Sequence, residues 1–568
     1  MFVDETVNVD VLIIGAGNAG IRAAIEAAGL GAVTIMVSKG PFPSGGSTVA
    51  GGLLQASFHP EDSKDIHFRD TVQGGWYLSN QKLVRIMVND APERVLDLEK
   101  FGHVFDEGTE ARYALAKLGG YSVPRGVMGG MSGNLQKVLL MEAIRRGVKF
   151  HDELMITRLL CEDGIVVGGV GLEIPTGRFK VFWAKSVILA SGAVGRLWKV
   201  TADTKSATGD GFALARTIGT KMINMEMIQY IPLTFIYPEF VKGNTLGEAS
   251  TVGKGTVYKN RLGERFMKRY DPERLETTTR DIAARANYLE IKEGRGSFHG
   301  GIWVDPTQVN PADSLYTKDR LPERWRMLRD FYGEAVANLQ EPFEASPAAL
   351  YIMGGIEINE KCETSTENLF AVGEVSANIH GANRLGGNAL IEIQVFGKIA
   401  GENAACKAKK TVFRKCHQNQ IQTEYNRIFG LLENGQGNRP LALKKTLQEL
   451  MWDKVGIVKN GADLEEGLGE ILELKKAVQS LRLHSNTKVY NQEWIESLEL
   501  VNMVEVAEMI THCALLRQES RGVHFRTDFP DRDDQNWLRE TVVQEVEGEL
   551  RLSTQPVNLI ELKPKEVS

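Results

Sequence analysis

The chain has 568 residues, 43% apolar and 25% charged, with a formal net charge of −6, the profile of a globular protein of several domains. That mild acidity excludes a basic footprint for nucleic acid and a polybasic membrane patch, and no run approaches the ~18 continuous apolar residues of a membrane span. Five cysteines with no C-x-x-C pair point away from a disulfide framework, a zinc site or an iron–sulfur cluster carried by this chain. The 58 glycines gather in short motifs, the mark of backbone lying close against something bulky. Met1–Thr6 is acidic and lacks a basic-then-apolar leader pattern, so a cytoplasmic location is expected.

Asp10–Ile14 (DVLII) is a short β-branched apolar run, predicted as a buried parallel strand. Gly15-Ala16-Gly17-Asn18-Ala19-Gly20 follows, then a predicted helix over Ile21–Ala28 and a second strand over Val33–Val37. This is G-x-G-x-x-G between a strand and a helix, the setting in which it signals dinucleotide binding. Gly15 permits the tight turn, Gly17 lets a pyrophosphate approach the backbone, and Gly20 lets helix and strand pack closely. The helix start offers unpaired N–H groups and a positive dipole end. An acidic residue for the ribose is expected about 20 positions on, but Ser38 and Lys39 stand there. The serine hydroxyl is a partial substitute, and Lys39 is expected to face a phosphate. These residues alone leave FAD and NAD open.

Ser186–Ala190 is another buried-strand run, leading into Ser191-Gly192-Ala193-Val194-Gly195-Arg196. Thr208-Gly209-Asp210-Gly211 opens a predicted helix over Phe212–Arg216. Far along the chain, Asn368–Val372 leads into Gly373-Glu374, and His380–Leu390 (HGANRLGGNAL) precedes a long apolar stretch. A strand ending in Gly-Glu sets a carboxylate at the carboxyl edge of a parallel sheet, where ligands bind. Beyond residue 405, Ala442–Leu450, Leu464–Leu481 and Trp494–Leu516 carry apolar residues at helical spacing, and Glu549–Leu562 alternates like a short strand pair.

These stretches resemble, in order, the flavoprotein subunit of the succinate dehydrogenase/fumarate reductase family, which includes L-aspartate oxidase. The match runs through GAGNAG (Gly15–Gly20), ASGAVGRL (Ala190–Leu197), TGDG (Thr208–Gly211), RDIAARANYLEIKEGRG (Arg280–Gly296), YIMGGI (Tyr351–Ile356), FAVGE (Phe370–Glu374), HGANRLGGNAL (His380–Leu390) and ESRGVHFRTDFPDRDDQNW (Glu519–Trp537). The resemblance implies an α/β protein. Its Rossmann-like FAD-binding domain is built from residues 1–235 and 352–405, with an α+β capping domain inserted over 236–351. A helical domain over 406–530 and a tail with short strands over 531–568 follow.

The resemblance also implies residue roles. FAD would be held by Gly15, Gly17, Asn18, Ala19 and Gly20; by Ser38 and Lys39; by Ser47, Thr48, Gly51 and Gly52; and by Ala190, Ser191 and Gly192. Thr208, Asp210, Gly373, Glu374, Arg384, Asn388, Ala389 and Leu390 complete that set. In the family, hydride passes between the flavin N5 and one carbon of a C–C or C=C bond beside a carboxylate, and an arginine moves the proton at the neighbouring carbon. Arg280 occupies that position here. Asp281 and Arg285 read as a structural pair on the same helix. Arg384 matches the arginine that grips a substrate carboxylate. Thr234 matches a threonine that hydrogen-bonds a carboxylate, displaced by one residue, and Glu248 matches the relay carboxylate if the register slips by one.

The departures bear on substrate and cofactor attachment. The family's two carboxylate-binding histidines are replaced by Ile231 and Leu350, and its relay arginine by Val252. Each lost charge-assisted bond to a buried carboxylate costs about 1.5–3 kcal/mol, so a substrate with one carboxylate and an apolar remainder is expected in place of a dicarboxylate. The histidine that many members link covalently to FAD is Ser47 here, so noncovalent FAD is expected. Without an electron carrier of its own, the chain is expected to exchange electrons with a partner iron–sulfur subunit, at the membrane periphery if that partner is bound there. The alternatives are a stand-alone oxidase similar to L-aspartate oxidase and a flavin-binding subunit with an altered site.

Overall fold

A computed structural model describes residues 3–130, 132–246, 255–310, 322–433 and 435–564. Glu248 and Val252 lie outside the described residues.

The apolar runs that open the chain form a seven-stranded sheet. Glu5–Ile14 is flanked in parallel by Thr34–Val37 on one side and Phe179–Leu189 on the other. Lys149–His151 extends the first side, and Leu369–Ala371 pairs in parallel with the end of Phe179–Leu189. Ile165–Glu173 and Leu154–Glu162 complete the sheet in antiparallel fashion. In register, Ile14 lies opposite both Val37 and Leu189, and Ala371 opposite Leu189. Four strands from distant parts of the chain therefore end at one edge, and the residues that follow them (Gly15, Ser38, Ala190, Val372) all emerge there. The first strand reads as a continuous apolar run because both of its faces are covered: Val11, Leu12 and Ile13 are all fully buried.

The helix Asn18–Gly29 packs along Asn388–Lys410. Glycine makes the approach possible: a Cβ at Gly401 would lie 2.2 Å from the Ala23 carbonyl oxygen. Between the two halves of this domain, Ile228–Phe235, Phe343–Ile352, Ile302–Asp305 and Val257–Lys259 form a four-stranded antiparallel sheet, with the helix Arg280–Glu290 packed on it. Two residues, Pro232 and Leu233, oppose the single Pro347 on the facing strand, a bulge in the ladder.

The helical spacing beyond residue 405 resolves into Gln418–Glu433, Pro440–Lys454, Gly461–Ala477 and Gln492–Leu516. The last is buried on nearly all sides. Its carbonyl end is closed by Arg526, whose guanidinium donates to the carbonyls of Ala514, Leu515 and Arg517 at 3.0–3.2 Å. Arg517 in turn donates to Glu226 at 2.6 Å and Glu519 at 2.8 Å, all three fully buried. Arg517, at the end of that helix, thus ties the helical region to Glu226 of the nucleotide domain, with Glu519 beside it. The tail differs from expectation in one respect: Glu549–Pro556 is one strand, and its partner is the preceding Arg539–Val546. No helix among the described residues is long and apolar enough to cross a membrane.

Candidate active site

The sheet edge opens into a cavity of about 930 Å³ that runs from the glycine turn to the inserted sheet. At its nucleotide end, Gly15 holds φ +122°, and a Cβ there would come 2.1 Å from the Ala190 carbonyl oxygen. Gly17 is the N-cap of Asn18–Gly29, lines the cavity and supplies no side-chain cap of its own, so the helix starts at the cavity wall. Ser191 lines the cavity, and its buried hydroxyl has no protein partner. A helix start whose N-cap is glycine, an orphaned hydroxyl and a glycine-rich wall (Gly45, Gly46, Gly51, Gly52, Gly373) together fit a phosphate-bearing cofactor of FAD's size.

Of the expected cofactor residues, Gly15, Gly17, Ala19, Ser38, Lys39, Ser47, Gly51, Gly52, Ala190, Ser191, Gly192, Asp210, Gly373, Glu374, Arg384, Ala389 and Leu390 line this cavity. Five do not, and they support the wall from behind. A Cβ at Gly20 would meet the Gly15 carbonyl oxygen at 2.2 Å. The Asn18 N–H donates to Ser47 Oγ at 3.2 Å, and its amide to Ser132. Thr48 donates to the Gly45 carbonyl. Thr208 accepts from Lys39, and Asn388 is bonded to His67 and Thr71. Lys39 also departs from expectation: its ammonium is paired with Asp210 and Glu499, each at 2.6 Å, so its charge already has two carboxylates beside it.

At the other end, two guanidiniums converge. Arg280 opens the helix Arg280–Glu290, and Arg384 comes from the loop before Asn388–Lys410. Arg280 Nη1 donates to Gln229 Oε1 at 3.4 Å, while Arg384 Nε and Nη2 donate to the same oxygen at 3.2 and 3.1 Å. The Arg384 guanidinium lies 4.4 Å above the Tyr351 ring. Burial, and then the charge of Arg280, lower the Arg384 pKa to about 10. Arg285 points elsewhere: it stacks 4.3 Å over Phe525 of the C-terminal region. Burial lowers its pKa, and the charge of Asp281 opposes that shift. The wall beside the arginines is apolar. Ile231 packs with Val200 and Ala348, and Ala202 and Leu350 lie against them; Ile231, Ala202 and Leu350 face the cavity.

Next to this wall sits a carboxyl group that no sequence motif singles out. Asp203 lines the cavity, and its Oδ2 is buried with no hydrogen-bond partner. Burial raises its pKa to about 7, against the pull of Arg196, the Gly195 backbone and Arg384. Gly195 is required for this packing, because a Cβ there would lie 2.0 Å from Oδ2. Glu374 accepts from the Ile352 N–H at 3.1 Å and is held well above the usual carboxylate range by burial and then by Asp203. Further back, Glu392 has neither oxygen bonded and is pushed up to about 8 by burial.

Comparison with known proteins accords with this geometry. Residues 10–390 match the family model described as "FAD binding domain", and residues 444–568 match "Fumarate reductase flavoprotein C-term". The chain is 41% identical to a subunit of the fumarate reductase (CoM/CoB) of Methanothermobacter marburgensis, covering 95% of this chain and 97% of that one. It is 31% identical to the succinate dehydrogenase flavoprotein subunit of Rickettsia conorii, over 97% and 96%. The chain belongs to the succinate dehydrogenase/fumarate reductase flavoprotein family. Among solved structures, a variant of the E. coli quinol fumarate reductase FrdA superposes with a TM-score of 0.91 at 28% identity, covering 99% of both chains. Mycobacterium smegmatis Sdh1 gives 0.87 at 33%, over 99% and 96%. As a member of this family the protein is an FAD-dependent oxidoreductase acting on CH–CH groups.

One carboxylate contact expected from the family pattern is corrected. Thr234 is fully buried, and its hydroxyl donates to the Ser346 carbonyl at 2.9 Å; it does not line the cavity. The bulge at Pro232–Leu233 offsets the residues beyond it, leaving Thr234 in register with Ser346. Hydroxyl-bearing residues that do line the cavity include Thr277, Thr278 and Thr279, which precede Arg280 in the chain, and Tyr121.

Proposed function

We propose that this flavoprotein interconverts a C=C and a C–C bond beside a carboxylate, and that its substrate carries one carboxylate and an apolar remainder. The single observation that supports this is the meeting of Arg280 and Arg384 on one neutral oxygen: the acceptor they share is an amide and brings no negative charge. FAD, when bound, supplies the hydride chemistry. Arg384 receives the substrate carboxylate, with the Tyr351 ring beneath it fixing the plane of the guanidinium. Arg280, on a helix start that sets it at the same point, carries the proton to or from the carbon next to the reacting one.

A second carboxylate would lie against Ile231, Leu350 and Ala202, losing its hydration without a donor in return, and beside the Asp203 carboxyl. A linear α,β-unsaturated acid meets the wall with carbon. The competing reading is fumarate itself, favoured by the 41% identity to a subunit of the fumarate reductase (CoM/CoB). Turnover with crotonate against fumarate and succinate separates the two: crotonate turnover well above fumarate turnover is expected, and fumarate turnover as the dominant activity overturns the single-carboxylate reading. FAD is held noncovalently, Ser47 standing where a histidyl link would form. Electrons pass to or from a partner iron–sulfur subunit; copurification of iron–sulfur absorbance with this chain tests that assignment.

A further inference from the structure

Gln229 is a residue to which neither the family pattern nor the cavity lining assigns a role, yet every polar atom of its side chain is committed at the arginine pair. The residue is fully buried on the strand Ile228–Phe235, directly opposite Tyr351 in the ladder. Its Nε2 donates to Asn383 Oδ1 and to the Arg384 carbonyl oxygen, both at 2.8 Å. Both amide protons are thereby used on acceptors that cannot themselves donate in those contacts. The amide cannot be turned over, because its NH₂ would then face two guanidiniums with no acceptor between them. Oε1 is forced toward Arg280 and Arg384 and receives all three of the donors described above.

We propose that Gln229 is a positioning residue that brings the two guanidiniums to one point while adding no charge there, so that the anion taken up beside them is the one arriving from the cavity. The proposal rests on the reading of the site as one for a carboxylic acid. A glutamate has the same shape and reach, and it would hold the same two arginines more strongly. It would also be a resident anion, occupying electrostatically the place the substrate carboxylate has to take. An apolar side chain of the same length would add no charge either, but it would lose the common point. The amide is the one choice among these three that both aligns the arginines and leaves the place beside them open to an incoming anion. Its position is set by the ladder, since the residue across from it, Tyr351, carries the ring under Arg384.

The test uses the flavin-loaded protein, with crotonate and fumarate as probes and the change in flavin absorbance on titration as the readout. Gln229→Glu is expected to keep its flavin and to bind either acid at least 30-fold more weakly at pH 8. That loss should shrink as the pH is lowered, because the second oxygen of the introduced carboxyl faces Asn383 Oδ1 and the Arg384 carbonyl, where only its protonated form can donate, and protonation removes the resident charge; the parent shows no such recovery. Gln229→Met is expected to keep KM within about fivefold and to lose at least tenfold in kcat, a split that a general loss of folding would not produce. Arg384→Met serves as the control for the site itself. If Arg384→Met binds both acids like the parent, the carboxylate reading fails. If Arg384→Met loses binding while Gln229→Glu binds like the parent with the same pH profile, the role of Gln229 is refuted. Should Gln229→Glu lose its flavin, Gln229→Met decides: an unchanged kcat overturns the proposal.

Discussion

Replacing Asp203 by asparagine isolates what it takes to keep a carboxyl group in the wall of this site. In the folded chain the group titrates near pH 7, against 3.8 for an ordinary aspartate, because it is buried, with Glu374 close enough to be raised by it in turn. The folded state therefore holds a proton that the unfolded state has given up between about pH 4 and 7. Stability must fall as pH rises through that interval, and the loss is complete above pH 7. Roughly three pKa units at 1.36 kcal/mol each bound the loss at about 4 kcal/mol. The partial accessibility of the residue lowers the expected value to about 2–4 kcal/mol. Asparagine has nearly the same shape and no charge to lose, so Asp203→Asn should be more stable than the parent by that amount at pH 8 and no more stable near pH 4. Unfolding entropy for a chain of this length is about 1.2 kcal/mol/K, so the gain corresponds to a rise of about 2–3 °C in Tm if the chain melts in one step. Thermal melts of both proteins at half-unit intervals across roughly pH 4.5 to 8.5, the interval that brackets the shift, measure it. Parallel curves, with a constant difference between variant and parent, would refute the assigned titration.

Other substitutions probe the remaining parts of the site. Gly15→Ala combines a φ of +122° with a Cβ 2.1 Å from the Ala190 carbonyl oxygen; the left-handed cost alone is about 1–2 kcal/mol, and flavin affinity should drop more than tenfold, read as the ratio of visible to ultraviolet absorbance after gel filtration. The double change Ile231→His and Leu350→His returns two donors to the apolar wall. At about 1.5–3 kcal/mol for each charge-assisted bond, fumarate affinity should rise at least tenfold while crotonate affinity falls, and unchanged selectivity would show that the wall does not set it. Because Ser47 offers no histidyl attachment, acid precipitation of the purified protein should leave all yellow colour in the supernatant. Colour retained in the pellet would contradict noncovalent binding.

The nucleotide end of this protein is legible in one dimension because its determinants are local. A β-branched run, a glycine turn and an alanine-rich helix follow one another within about twenty residues, and each needs only its neighbours to form. The glycines are informative for the same reason: Gly15 and Gly20 are required by backbone contacts with Ala190 and with each other, and no other residue fits there. Lys39 is harder to read because its partners, Asp210 and Glu499, come from far along the chain, and nothing in its own neighbourhood announces them.

At the arginine end of the cavity the division is sharper. Motif position identifies Arg280 and Arg384, but the sequence contains no sign that one amide oxygen joins them. That depends on the pairing of Gln229 with Tyr351 across a ladder whose strands are far apart in the chain. The family resemblance matches Thr234 to a threonine that binds substrate; a two-for-one bulge puts it in register with Ser346 instead, and its hydroxyl goes to that carbonyl. Asp203 looks like an ordinary loop aspartate until Gly195, Glu374 and Arg384 close around it. Sequence by itself determined the strand–turn–helix unit, the family and the residue types available to the site, since these follow from short-range sterics and patterning. Tertiary structure alone decided which charges face one another and which are already satisfied, because electrostatic energy depends on distance and burial, and the chain brings those groups together only when it folds.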